Sequence, residues 1–157
     1  MGPVLDRPEL LRLREQWKQQ GQKIVFTNGC YDLLHPGHIR LLEQARRLGD
    51  RLIVAVNSDT SVERLKGLRR PILPQAERAG LLGALDAVDA ITVFEEDTPH
   101  ALLEALLPEV LVKGADWSHW IAGREIVEAA GGEVKAVPLE AEYSTTDIVS
   151  KIMERLD

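Results

Sequence analysis

Two histidines, His35 and His38, bracket Pro36-Gly37 in the stretch FTNGCYDLLHPGH, residues 26–38. Asn28-Gly29 stands just upstream, directly after an apolar run. An imidazole donates hydrogen bonds to phosphoryl oxygens. A helix start adds free N–H groups and the positive end of the dipole. If a strand ends near Thr27 and a helix opens near Pro36 or Gly37, the two histidines stand where an anion binds. Gly37, without a Cβ, would then let a ligand approach the backbone. Phosphoryl and nucleotidyl transfer need mainly positioning and charge stabilisation, and such a site supplies both. Two other readings stay open. The histidines could be ordinary helix-start residues, or they could share a zinc ion with only Asp32 in support.

Three further stretches carry chemistry. STTD (144–147) reads as a helix start in which Ser144 and Asp147 approximate a capping box. The same N–H groups and the hydroxyls of Ser144, Thr145 and Thr146 suit phosphate. RLKGLRRP (64–71) is either a solvated basic loop or a cationic flap, with Lys66 as a point charge. LVKGADW (111–117) places Lys113 and Gly114 at a strand end, well set for phosphate or base contacts, and Asp116 to orient a substrate hydroxyl or a metal. Asn57 and Asp59 lie in VNSD (56–59) at another strand end, where Asp59 either caps the next helix or faces an acceptor. Trp117 could stack on a ligand or simply pack, and a tryptophan is more often core than ligand platform, so Trp117 and Trp120 stand outside the candidate site. His100 and His119 read as surface or loop residues, and Cys30 as a small packing residue rather than a nucleophile.

The elements that must position these groups follow from periodicity. Short apolar runs at 23–27, 51–59, 90–94, 109–114 and 133–138 read as buried strands. Amphipathic stretches at 9–21, 38–49, 74–85, 98–108, 123–132 and 144–157 read as helices, with Thr98 as N-cap and Pro99 at the first position of the fourth. Residues 60–73 read as a long mobile loop. Such alternation implies an α/β fold, a mainly parallel sheet of five strands covered by helices on both faces. Ligands bind at the carboxyl ends of the strands in such sheets.

The 157 residues suit one domain, a leading helix over 1–21 and a core over 22–157. A composition of 45% hydrophobic and 28% charged residues suits a globular protein. The net charge of -6, with both signs interspersed, argues against a nucleic-acid partner. No apolar run reaches membrane-spanning length and no signal peptide is visible, so no membrane partner is expected. One cysteine forbids an internal disulfide, which fits a cytoplasmic location.

HPGH resembles the H-x-G-H motif of the nucleotidyltransferase superfamily that includes the glycerol-3-phosphate and phosphocholine cytidylyltransferases and pantetheine-phosphate adenylyltransferase. YSTTDIVSKI resembles its second motif. TNGCYDLLHPGH, GDRLIVAVNSD, RLKG, RPILP, LGALDAVD, FEEDTP, LVKGADW and STTDI follow in family order over about residues 22–153. Together they look like the adenylyltransferase half of the bacterial bifunctional heptose kinase/adenylyltransferases. The resemblance implies a Rossmann-like domain of the H-x-G-H type. It implies transfer of AMP from ATP, with Mg²⁺ carried on the phosphates and no dedicated protein metal site, to D-glycero-β-D-manno-heptose 1-phosphate. It implies a nucleotide site lined by Thr27, Asn28, Gly29, Gly37, Lys113, Gly114 and the β- and γ-phosphate contacts of Ser144, Thr145 and Thr146. Catalysis would rest on His35, His38 and Lys66. Asp32 would support the loop or the sugar-phosphate pocket, and the acceptor would meet Asn57, Asp59, Asp116 and Arg78, which matches the family's helix arginine. A homodimer and a separate heptose kinase are expected. The alternative is cytidylyl or adenylyl transfer to another phosphorylated metabolite such as glycerol 3-phosphate. Against it, PLEAEYSTT has two glutamates where the glycerol-3-phosphate enzymes carry an arginine. From another class, a nucleotide sensor without turnover is disfavoured by the intact histidines and STT.

Overall fold

The computed structural model describes residues 2–114, 120–138 and 143–156. Five strands, β1 (Ile24–Gly29), β2 (Arg51–Asn57), β3 (Ala90–Phe94), β4 (Val110–Gly114) and β5 (Glu133–Val137), form one sheet in the order β3-β2-β1-β4-β5. Every pairing between them is parallel. The expected mainly parallel α/β sheet is therefore present, and the order reverses beside β1. That reversal makes the carboxyl ends of β1 and β4 the crevice of the fold.

Helices α1 (Arg7–Gln19), α2 (Pro36–Arg46), α3 (Asp59–Lys66), α4 (Gln75–Gly83), α5 (His100–Leu106), α6 (Arg124–Ala129) and α7 (Thr145–Leu156) connect or follow the strands. Strand side chains alternate between faces. Ile24, Phe26, Ile53, Ala55 and Leu111 pack against Leu10 and Trp17 of α1, Leu103 of α5 and Val127 of α6. Val25, Leu52, Val54, Val56 and Val112 pack against Leu42 and Ala45 of α2 and Ala79 and Leu82 of α4. Burial on both faces is why these strands read as unbroken apolar runs.

Three boundaries differ from the sequence expectation. The stretch expected as a loop over 60–73 begins with a helix, α3. Ser58 caps it, accepting from the Ser61 N–H at 3.2 Å, and its own Ser61 and Val62 are buried. The cap was readable, but the run is too short to show a period. At α5 the N-cap is Pro99, not Thr98, whose hydroxyl instead lies 2.6 Å from His100 Nδ1. Strand β2 stops at Asn57 because Ser58 turns the chain into α3.

The outer edge of β3 is covered by the chain itself. Val4 bridges Ile91 in parallel, Ile91 N–H donates to the Pro3 carbonyl and Leu5 N–H to the Ile91 carbonyl. Unpaired edges invite association, and this strap closes one of the two.

Candidate active site

A cavity of about 830 Å³ opens at the carboxyl edge of the sheet. That size suits a nucleotide or sugar phosphate. Strand ends supply Thr27, Asn28, Gly29, Asn57, Lys113 and Gly114. The loop after β1 supplies Cys30, Tyr31 and Asp32, helix α2 supplies His38, α3 supplies Lys66, and the start of α7 supplies Thr145 and Thr146. Eleven of the expected site residues are thereby gathered on one wall or another: Thr27, Asn28, Gly29, Asp32, His38, Asn57, Lys66, Lys113, Gly114, Thr145 and Thr146.

His38 is fixed by its own helix start. Its Nδ1 accepts from the His35 N–H at 3.3 Å. In the neutral ring the proton then sits on Nε2, which makes that nitrogen a donor. Burial, with His35 adding to it, holds the His38 pKa down to about 4. At neutral pH His38 is an uncharged hydrogen-bond donor rather than a cation. His35 stacks on it, ring centroids 3.8 Å apart and planes 23° off parallel. Burial lowers the His35 pKa as well. His35 does not itself line the cavity. Its Nδ1 is buried without a hydrogen-bond partner among the described residues, as is Asn28 Oδ1 at the end of β1. Buried polar atoms are almost always paired. Of these two residues Asn28 lines the cavity and His35 does not.

Several expected contacts take a different form. Gly37 does not open a path for ligand. A Cβ there would lie 3.0 Å from the His35 ring and 3.1 Å from Tyr143 Cβ, so the missing side chain makes room for those two residues. The Thr27 hydroxyl donates to the Val112 carbonyl at 2.9 Å and ties β1 to β4 instead of pointing at phosphate. Ser144 caps α7, its Oγ accepting from the Asp147 N–H at 3.0 Å, and it does not line the cavity. Asp59 lies in the first turn of α3 and is not its cap; it pairs with Arg78 at 2.8 Å.

Arg78 is not a substrate contact. It is 0% exposed. Its guanidinium donates to the carbonyls of Leu73, Cys30 and Asn57 and to Asp59 Oδ1. One side chain thus ties together the ends of β1 and β2 and the segment before α4. Asp32, 4% exposed, plays the complementary part. Its carboxylate accepts from the N–H groups of Ile72 and Leu73 and from Arg70 at 3.3 Å. Asp32 therefore supports the flap rather than meeting substrate through an uncommitted oxygen. Lys113 Nζ donates to the Asn28 carbonyl at 2.8 Å across the strand ends.

Other cavity residues were set aside or passed over by sequence reasoning. Arg70 lines it, held by Asp32. Trp120 lines it and is 57% exposed, as no packing residue would be. Asp97, Thr98 and Pro99 complete that side. Tyr31 is buried, with φ of 49°, in the left-handed region. Its ring lies 5.5 Å from His38 and fills the space that Gly29 leaves without a Cβ. Burial raises its phenol pKa. Burial likewise raises the Cys30 thiol, against the pull of Lys66, Arg78 and Lys113, so the thiolate is disfavoured. Among these cavity residues, Arg70 carried a readable signal, since it stands in the basic stretch RLKGLRRP. Among the described residues no group of three or more His, Cys, Asp or Glu side chains could hold a metal ion. Asp116, Trp117, His119, Glu140 and Glu142 lie outside the described residues.

The cytidylyltransferase-like family model matches residues 26–151. The bifunctional protein HldE of Halorhodospira halophila is 53% identical over 153 residues, 97% of this chain and 32% of that protein. HldE of Pectobacterium carotovorum is 53% identical over 150 residues, 95% of this chain and 31% of that protein. The chain thus spans about a third of the length of these curated relatives. The crystal structure of the lipopolysaccharide core biosynthesis protein from Thermoplasma volcanium superposes with a TM-score of 0.62 at 28% identity, over 76% of this chain and 98% of that one. Pantoate-beta-alanine ligase from Francisella tularensis superposes with a TM-score of 0.63 at 18% identity, over 98% of this chain and 78% of that one, a likeness of fold.

Proposed function

Because the chain belongs to the cytidylyltransferase-like family, we propose that it transfers AMP from MgATP to D-glycero-β-D-manno-heptose 1-phosphate, giving ADP-heptose and pyrophosphate. The observation that carries nucleotidyl transfer is the convergence of His38, Lys66, Thr145 and Thr146 on one cavity from separate elements. The heptose acceptor is supported by the sequence resemblance and by the 53% identity to the bifunctional HldE proteins.

The acceptor phosphate is already an anion, so the reaction needs no strong base. An acceptor oxygen forms a bond to the α-phosphorus of ATP as the bond from that phosphorus to the β-bridging oxygen breaks. Pyrophosphate leaves with Mg²⁺, an ion carried mainly by phosphate oxygens. His38 Nε2–H donates to a phosphoryl oxygen of the transition state. Being neutral, it acts by a directed hydrogen bond in a dry site rather than by charge. Lys66 supplies charge to the departing pyrophosphate, and the start of α7 holds its far end. Arg78 and Asp32 act at one remove, by fixing the loops.

The test is pyrophosphate release from ATP with Mg²⁺ and the heptose 1-phosphate, beside CTP and glycerol 3-phosphate. Release with ATP and the heptose phosphate alone supports donor and acceptor together. Release only in a control replaces the substrate and keeps nucleotidyl transfer.

The same reading takes residues 22–157 as one catalytic unit, cytoplasmic, supplied with acceptor by a heptose kinase. It also keeps the homodimer. With β3 strapped, β5 is the edge left at the end of the sheet, and Glu133, Lys135 and Ala136 on it are exposed. Sedimentation equilibrium giving a monomer throughout the micromolar range would discard the dimer.

A further inference from the structure

His35 is held in an unusual way. It stacks on His38 on one side, and its ring centroid lies 6.0 Å from that of Tyr143 with the planes 16° apart. Aromatic pairs interact at about this range. The Arg40 guanidinium carbon stands 5.6 Å from the Tyr143 ring centroid, within cation–π reach. Gly37 leaves space for the His35 ring and for Tyr143 Cβ, each about 3 Å from where a Cβ there would stand. His35 Nδ1 has no hydrogen-bond partner among the described residues. A histidine oriented by a hydrogen bond spends a ring nitrogen on its orienter. His35 is oriented instead by stacking.

Tyr143 also stands just before the start of α7, whose Thr145 and Thr146 line the cavity. The Thr145 hydroxyl reaches the Leu33 carbonyl, just ahead of His35, at a marginal 3.5 Å. The two helix starts therefore meet through Tyr143 on His35 and through Thr145 on Leu33. We propose that Tyr143 is a positioning residue: its ring clamps His35 onto His38 and aligns the histidine pair with the α7 start that holds the pyrophosphate end. The role of that end rests on the function proposed above; the clamp itself does not.

Among the described residues, the titratable and charged groups around His35 are His38 on its own helix, Tyr143 across from it, and Arg40 behind the Tyr143 ring. Removing the tyrosine ring rewets His35, so its titration midpoint should move up toward the ordinary histidine value of 6.5. Histidine ring NMR of the full chain without substrate reads this in wild type, Tyr143→Ala and Tyr143→Phe. The midpoint is expected to rise in the alanine variant and to stay in the phenylalanine variant. In steady-state kinetics Tyr143→Ala should lower kcat about five- to tenfold, the size of a lost aromatic pair. KM for ATP should change less than twofold, and Tyr143→Phe should recover most of the rate. Tyr143→Leu keeps apolar bulk without a flat ring; it serves if the alanine variant does not fold, and should lose a similar factor. An unmoved His35 midpoint in the alanine variant overturns the clamp. So does a kcat within twofold of wild type in the alanine and leucine variants, or a phenylalanine variant as slow as alanine. The NMR arm uses no acceptor, so a wrong substrate and a wrong clamp fail separately.

Discussion

At the scale of single residues, the histidine pair carries the sharpest expectations. His38 Nδ1 is occupied by the His35 N–H, which leaves Nε2–H as the donor toward the cavity. His38→Ala should lower kcat roughly 10²- to 10³-fold, as the loss of one transition-state donor does elsewhere. Far-UV circular dichroism should remain that of wild type, and retained activity would remove His38 from the mechanism. The ring also has a readable protonation state. In the free protein its NMR titration midpoint should lie near 4, where burial puts it. An anion beside an imidazole favours the charged form, so saturating ATP should raise that midpoint. A midpoint that ATP leaves in place would mean that the triphosphate does not reach His38.

At the scale of elements, two buried charges hold the loops that form the cavity. Arg78 reaches three carbonyls and Asp59 from inside α4. Removing one member of a buried, bonded charge network costs about 3–5 kcal/mol. Arg78→Ala should lower the urea unfolding free energy by that order, and lysine should rescue little, because a single ammonium cannot span the same carbonyls. Asp32 holds the 70–73 segment by its backbone. Asp32→Ala should speed hydrogen exchange at Ile72 and Leu73. Misplacing Lys66 and Arg70 should then lower kcat/KM about 10- to 100-fold, the penalty of a small displacement at a positioned site. Unchanged exchange at both amides would show that Asp32 is not the staple.

At the scale of the whole molecule, the same buried imidazole links folding to pH. Between its folded value of about 4 and the ordinary 6.5, His38 binds a proton in the unfolded chain and not in the folded one. Stability must therefore be full above 6.5 and fall as pH drops toward 4. The lowered Glu96 carboxyl, hydrogen-bonded to Arg7, adds a contribution of the same sign below its ordinary 4.5. Urea titrations at several pH values should show that slope, and His38→Gln should flatten it. A slope unchanged by the substitution would assign the acid sensitivity to other groups. The strap of residues 2–5 on β3 acts at this scale too, since it satisfies an edge that a partner chain would otherwise find open.

Much of this protein was legible along the chain because the relevant physics is local. Strand runs, helix periods and the STT cap are set by residues a few positions apart. The HPGH and STT stretches each create a helix start, and a helix start binds anions wherever it stands. What the chain could not express is which distant residues meet. Arg78 reads as one more helix arginine until the strand order puts the carbonyls of Cys30 and Asn57 within its reach. Gly37 reads as a door for ligand until His35 and Tyr143 occupy the space. Trp120 reads as core until it stands exposed on the cavity wall. Local pattern determined the elements and the chemistry at their ends; only the packing of β3-β2-β1-β4-β5 decided which ends share a cavity, because contacts across a parallel sheet join segments that no short-range period relates.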